Sequence, residues 1–176
     1  RYAKRHGLQN GKVLENAVED AFWNDLLVHK GNYSGKIQFL YVANYNSNKN
    51  QEMVLRAFYK ADLHSARLVF AGFERNEYLE GLKKLQKELE KEESAEKEVL
   101  FHVHLSREEI YRLYGESDVF VCGSRSENAP IVHCEAAACG MAVVSTPVGN
   151  VHHMDGIILA ANIQEMGKAM ELLEND

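Results

Sequence analysis

No stretch of this chain comes near the roughly 20 consecutive apolar residues that a membrane-spanning helix requires. Its first residues show no signal-peptide pattern. Cysteine is scarce: Cys122, Cys134 and Cys139 are three in number, stand in apolar surroundings and form no Cys-x-x-Cys pair. An odd count without that spacing argues against a disulfide framework and leads us to expect a reducing, cytoplasmic setting. Positive charge is in deficit. A net charge of −6 excludes a general attraction to nucleic acid phosphates, although a local cationic pocket can still sit on an acidic body. Three well-known signatures are also missing. No Gly-x-Gly-x-x-Gly follows the first strand, which argues against a dinucleotide oxidoreductase, and the lack of Gly-x-x-x-x-Gly-Lys-Ser/Thr argues against a P-loop enzyme. Gly-x-Ser-x-Gly is absent as well. The sequence opens on Arg1 rather than Met, from which a piece of a longer protein is expected.

What is present suits one compact domain. Hydrophobic residues make up 45% of the 176, near the average for a globular protein and enough for a core without staples. Short apolar runs at 37–43, 67–71, 99–105, 118–122 and 141–145 read as strands, with 156–160 as a sixth. Between them lie segments with helical spacing. Residues 51–60 place Met53, Val54, Ala57 and Phe58 on one face, and 76–93 carry a stripe of Leu79, Leu82, Leu85 and Leu89. Residues 107–114 follow Ser106 with Glu109 as a capping box, 131–138 form a small-residue helix, and 163–173 a closing one. Strands that are apolar throughout are covered on both faces. Their alternation with helices predicts an α/β fold, a Rossmann-like doubly wound parallel sheet over residues 36–176. Residues 1–35 do not join the alternation and read as a connector packing on the domain, with Trp23 as its anchor. In such sheets ligands bind beyond the carboxyl ends of the strands.

The informative loop runs from Ser124 through Arg125, Ser126, Glu127, Asn128, Ala129 and Pro130 into a helix containing His133 and Glu135. Pro130 suits the first helical position. A helix start offers free N–H groups and a positive dipole end to a phosphate or sugar oxygen. Glu127 lies just before the helix and Glu135 about five residues in; helical side chains lean back toward the N-terminus, so both carboxylates can face one ligand. A carboxylate accepts hydrogen bonds from paired hydroxyls, as on a ribose or hexose.

Glu127 and Glu135, with seven residues between them, are followed by Ala-Ala-Ala-Cys-Gly-Met-Ala-Val-Val-Ser-Thr-Pro-Val-Gly. This segment closely resembles the Glu-x7-Glu region of the retaining glycosyltransferases of the GT-B fold, family 4. Further stretches agree in order: Val13 to Val18; Tyr41-Val42-Ala43-Asn44 with Lys49-Asn50; Val69 to Gly72; and Tyr114 to Val121. The resemblance implies the C-terminal, donor-binding half of such an enzyme, moving a sugar from a nucleoside diphosphate to an acceptor with retention. It implies that Glu135 binds the nucleotide ribose, that Glu127 and the amides near Asn128 and Ala129 face the donor sugar and diphosphate, with Pro130 and Asn44 in the same binding site, and that Lys49 neutralises the leaving group. No cofactor or metal is implied; the nucleoside-diphosphate sugar is substrate. The partner implied is an N-terminal acceptor-binding domain, which would carry the family's catalytic His and any peripheral membrane association.

The chain departs from the family's pattern at several positions. Asn44 stands where a second phosphate-binding Arg is usual, with Arg125 as a substitute cation nearby. Asn128 replaces a Gly, Val103 replaces the Gly beside the base, and the segment after Gly149 is shortened before Gly156. A rival reading follows: a non-catalytic sugar-nucleotide-binding module or degenerate glycosyltransferase partner. A response-regulator-like switch is a third reading, against which stands the lack of an acidic cluster after the first strand. Taken alone, glutamates eight positions apart are surface charge and Lys49 is a solvated loop lysine; the flanking pattern favours ligand roles. His102 and His104 share a face of the third strand and His152 adjoins His153, but no third ligand is placed with either, so no metal site is expected. His133 is expected to be packed or solvent-facing rather than a base.

Overall fold

The structure is a computed structural model and describes residues 16–20, 35–91 and 97–175. The connector and Trp23 anchor expected over residues 1–35 therefore lie, apart from 16–20 and 35, outside the described residues.

Six strands form one parallel sheet: β1 Ile37–Val42, β2 Ala66–Gly72, β3 Lys97–Val103, β4 Val119–Cys122, β5 Ala142–Ser145 and β6 Ile157–Leu159. Their spatial order is β3-β2-β1-β4-β5-β6, the doubly wound order expected from the alternation. The helices are α1 Gln51–Lys60, α2 Glu77–Leu89, α3 Arg107–Gly115, α4 Ile131–Ala138 and α5 Ile163–Glu174, with a 3-10 turn at Val151–His153. Chain order reverses between β1 and β4, which pair with Phe39 beside Val119 and Leu40 beside Phe120. The loops leaving these neighbouring strands therefore emerge side by side, and they are the ones that carry Lys49 and Glu127.

The core lies along the central strands. Phe39, Leu40 and Tyr41 of β1, Leu68 and Phe70 of β2, and all of β4 are buried. Apolar residues at consecutive positions of a strand can be buried only when both sheet faces are covered. The helices do this with Val54, Leu55 and Phe58 of α1, Leu79 and Leu82 of α2, Tyr114 of α3 and Met166 and Met170 of α5. The other two leucines of the expected α2 stripe, Leu85 and Leu89, pack half-buried at the core's margin. No helix among the described residues is long and apolar enough to cross a membrane.

Local sequence sets the helix starts. Asn76 accepts from the Leu79 amide at 3.0 Å, Ser106 and Glu109 form the expected capping box, and Asn162 accepts from the Glu165 amide at 3.0 Å. The N-cap residues of α1 and α4, Asn50 and Pro130, make no such bond. Both of these helices begin at the β1/β4 crevice.

Two expectations are corrected. Strand β3 ends at Val103 rather than 105, because His104 turns into the left-handed region (φ 56°) and gives its N–H to the Phe73 carbonyl at 3.0 Å. His102 and His104 therefore do not share a strand face. Pro130 is the N-cap (φ −70°, ψ 116°) rather than the first residue of the helix, which starts at Ile131.

Candidate functional site

The crevice is built from the two loops at the switch in strand order. After β1, the Asn46 side-chain oxygen accepts from the backbone amides of Asn48 and Lys49, each at 3.0 Å, which curls the loop. Asn50 then takes a left-handed conformation (φ 51°, ψ 43°), tolerated by Asn at low cost, and redirects the chain into α1. The loop after β4 is fastened to it directly. The Arg125 amide donates to the Asn48 carbonyl at 2.7 Å, Asn48 Nδ2 to the Ser126 carbonyl at 3.0 Å and Asn50 Nδ2 to the Gly123 carbonyl at 3.1 Å. Gly123 permits this approach: a Cβ there would lie 2.8 Å from Val54 Cγ2 and 3.0 Å from the Asn50 carbonyl.

This fastening brings Lys49 and Glu127 together. Lys49 Nζ forms an ion pair with Glu127 Oε1, with 28% and 15% of the two side chains exposed. Ser124 Oγ donates to the same carboxylate oxygen at 2.8 Å. The second cation, Arg125, lies close by: its guanidinium donates to Asn50 Oδ1 at 3.2 Å, one residue from Lys49. On the far side of the crevice, Gly149 (φ 61°) abuts the same loop, and a Cβ there would lie 2.5 Å from the Asn128 carbonyl. Asn128 and Ala129 are exposed, and the Ala129 carbonyl accepts from Asn16 Nδ2 at 2.6 Å. Asn44 is also exposed; its carbonyl, accepting from Gln51 Nε2 at 3.0 Å, is the group engaged.

Glu135 lies in the second turn of α4 and meets different company. Tyr114, buried in α3, donates its hydroxyl to Glu135 Oε2 at 2.8 Å. Burial raises the Glu135 carboxyl above its ordinary value, and the Tyr114 bond and the Arg107 charge oppose that shift. Burial also pushes the Tyr114 hydroxyl far up, so it stays a donor. Arg107 pairs with Glu19, which also accepts from the Tyr111 hydroxyl at 2.8 Å. The structure thus joins Lys49, Glu127 and, through Asn50, Arg125 in one hydrogen-bonded group, and sets Glu135 beside α3.

His133 is packed, as expected. It is fully buried beside the Phe120 ring, and its Nε2 lies 2.8 Å from Ser145 Oγ. Ser145 Oγ also lies 2.9 Å from the Thr146 carbonyl, a second acceptor for its hydrogen. Burial pulls His133 down to about 4, which keeps it neutral near pH 7. Three polar residues of the site stand in stretches that the sequence marks but are given no role there: Tyr41, Ser124 and Tyr114. Each is a hydroxyl in or beside an apolar segment, and only its burial gives it away. Among the described residues no group of three or more His, Cys, Asp or Glu side chains is gathered as a metal ion would need.

A six-stranded parallel sheet with helices on both faces, its strand order switching between β1 and β4, defines the class, a Rossmann-like doubly wound α/β domain. The chain belongs to the group 1 glycosyl transferases, whose family profile matches residues 26–176. Among solved structures it is similar to the apo form of the lipopolysaccharide outer core galactosyltransferase WaaB (TM-score 0.74, 14% identity, 98% of this chain and 50% of that one). It is similar also to a glycosyltransferase from Rickettsia africae ESF-5 (TM-score 0.70, 17% identity, 81% and 38%). A third is HepE from Anabaena in complex with UDP and glucose (TM-score 0.69, 18% identity, 81% and 40%). The chain spans half or less of the length of these proteins, as one half of a GT-B glycosyltransferase would. No curated protein matches it.

Proposed function

We propose that this chain is the donor-binding half of a retaining glycosyltransferase that uses a nucleoside-diphosphate sugar. The observation that carries this reading is the meeting of Lys49 and Glu127 across the β1/β4 crevice, where α1 and α4 both start without a side-chain cap. When the bond between the sugar C1 and the diphosphate breaks, the electron pair leaves with the phosphate oxygen. A fixed cation and helix-end amides stabilise the charge that builds there. Lys49 supplies the cation, the amides around Asn128 and Ala129 face the diphosphate, and the Lys49–Glu127 pair gives way to a Lys49–phosphate contact. The lysine and the amides carry the charge-neutralising role, so the reading calls for no cofactor. Glu127 is then left beside the donor sugar. Glu135 accepts the ribose hydroxyls through the oxygen that Tyr114 does not occupy, and Asn44 lies at the rim. HepE, whose structure holds UDP and glucose, supports a nucleoside diphosphate as ligand.

The acceptor hydroxyl, and the base that receives its proton, belong to the partner half. Residues 1–176 are accordingly expected to bind a donor nucleotide without transferring sugar, in a reducing, cytoplasmic setting that suits the free thiols of Cys122, Cys134 and Cys139. Calorimetric titration with UDP-, GDP- and ADP-sugars tests the proposal. One of them is expected to bind with a stoichiometry of one; no binding by any would overturn the donor reading, and sugar transfer by this chain alone would overturn the division of labour.

A further inference from the structure

We infer that Tyr41 is a positioning residue for the donor site, fixing the backbone of Lys49 beside the Glu127 loop through its buried hydroxyl; this rests on the donor reading above. Tyr41 lies at the carboxyl end of β1, the central strand at the switch, and is 1% exposed. Its ring packs against Phe70 and Phe120, each with a centroid separation of 6.2 Å. Those contacts need only a phenyl ring. The hydroxyl does something separate, lying 2.6 Å from the Lys49 carbonyl and 3.0 Å from Ser124 Oγ. Ser124 in turn reaches Glu127 Oε1 at 2.8 Å. The two ends of the Lys49–Glu127 pair are therefore joined through their own charges, and each is also held by a buried hydroxyl, the Lys49 carbonyl by Tyr41 and Glu127 by Ser124, with the two hydroxyl oxygens 3.0 Å apart.

The hydrogen count allows only two of these three contacts to be hydrogen bonds, and the Tyr41–Ser124 contact is the one left without a hydrogen. Tyr41 and Ser124 bring one hydroxyl hydrogen each to these three contacts. The charged carboxylate is the stronger acceptor for Ser124. The Tyr41 hydrogen then goes to the Lys49 carbonyl, the shorter of its two contacts. Tyr41 thereby fixes the backbone of Lys49 independently of where its ammonium group points. That independence matters because a diphosphate must draw Nζ away from Glu127. The ammonium group can change partner while the backbone that carries it, and the loop opposite, stay in place. Thr146 Oγ1, donating to the Ser124 carbonyl at 2.7 Å, holds the Ser124 backbone to the loop after β5.

Tyr41→Phe removes one oxygen and leaves the ring contacts in place. It is expected to weaken UDP binding about fivefold, or about 1 kcal/mol, and to leave uridine binding unchanged. In a Lys49→Ala background it should cost nothing further, since there is no ammonium left to position. Equal losses for UDP and uridine, or a loss that adds in full to that of Lys49→Ala, would show that Tyr41 only packs the core and would overturn the inference. A second readout needs no ligand. Amide exchange at Arg125, which donates across the two loops to Asn48, is expected to quicken about tenfold in Tyr41→Phe, while amides of the β4–β5 ladder stay as in the wild type. Unchanged exchange at Arg125 would also overturn the inference. If the wild type binds none of UDP, GDP or ADP, the donor reading fails, and with it the positioning role; the exchange measurement then tells whether the tether itself exists.

Discussion

Glu135 of α4 accepts a hydrogen bond from the buried Tyr114 hydroxyl of α3 at 2.8 Å, so the helices that precede and follow β4 share one carboxylate. One of its oxygens is committed to Tyr114, and in the proposed complex the other takes the ribose hydroxyls. Charge-assisted hydrogen bonds from vicinal hydroxyls contribute on the order of 1.5–3 kcal/mol each. Glu135→Gln should lower nucleotide affinity tenfold or more, roughly 1.4 kcal/mol, with the melting temperature little changed. A 2′,3′-dideoxy nucleotide should bind the wild type weakly and be indifferent to the substitution. Titration of the four combinations checks this, and an equal loss for the dideoxy ligand would remove the ribose from Glu135.

Lys49 is the sole cation of the loop that follows β1, and in the proposed complex its charge turns from Glu127 to the phosphates. Lys49→Ala should therefore weaken a nucleoside diphosphate by about tenfold or more, corresponding to roughly 1.4 kcal/mol, and leave the bare nucleoside unaffected. Raised salt should shrink the difference, since the pair is partly exposed. Parallel losses for both ligands would make Lys49 a structural residue.

Gly149 meets the Asn128 carbonyl so closely that no side chain fits, and its φ of 61° is one that Ala adopts only under strain. Gly149→Ala should destabilise the chain by about 1–3 kcal/mol and displace the loop carrying Glu127. Denaturation midpoints and nucleotide affinity should fall together. A variant with wild-type values of both would show that the loop after β5 does not brace the crevice.

His133 links stability to pH. Its folded value of about 4 lies below the ordinary value of 6.5, so the unfolded chain binds its proton first. The stability it contributes is complete above about pH 6.5 and is lost as pH falls toward 4, a loss of roughly 2–3 kcal/mol. Carboxylates held low by their partners, such as Glu174, which accepts from the His64 and Ser65 amides, lose their contribution only below their ordinary value of 4.5. Because the raised Glu135 carboxyl also titrates toward the lower end of this range, it is the difference between the wild type and His133→Gln in urea midpoints from pH 7 to 4.5 that isolates His133. The wild type should lose stability across that range, and His133→Gln should show a much flatter profile. Identical profiles would mean that the histidine charges without cost.

The alternation of short apolar strands with amphipathic helices was enough to predict the sheet and its helices, because each element's period is set by its own residues. The capping box at Ser106 and Glu109 was legible for the same reason: it is a contact over three residues. The early end of β3 was not, since it depends on His104 bonding to Phe73, which lies far back in the chain, just after β2. The site divides likewise. Lys49, Glu127 and Glu135 were marked by spacing and resemblance. The Tyr41–Ser124 contact and the Tyr114–Glu135 bond bring together residues far apart in sequence, and a tyrosine in an apolar run reads as core until its hydroxyl's partner is seen.

The central claim, that the β1/β4 crevice holds a nucleoside-diphosphate sugar, is tested most directly by backbone amide shifts of the chain titrated with UDP-glucose. The account predicts the largest changes at Lys49, Arg125, Glu127, Asn128 and Glu135, all at the carboxyl edge of the sheet. Changes confined elsewhere, for instance to the groove between α1 and α5 lined by Arg56, Lys60 and Lys168, would contradict it.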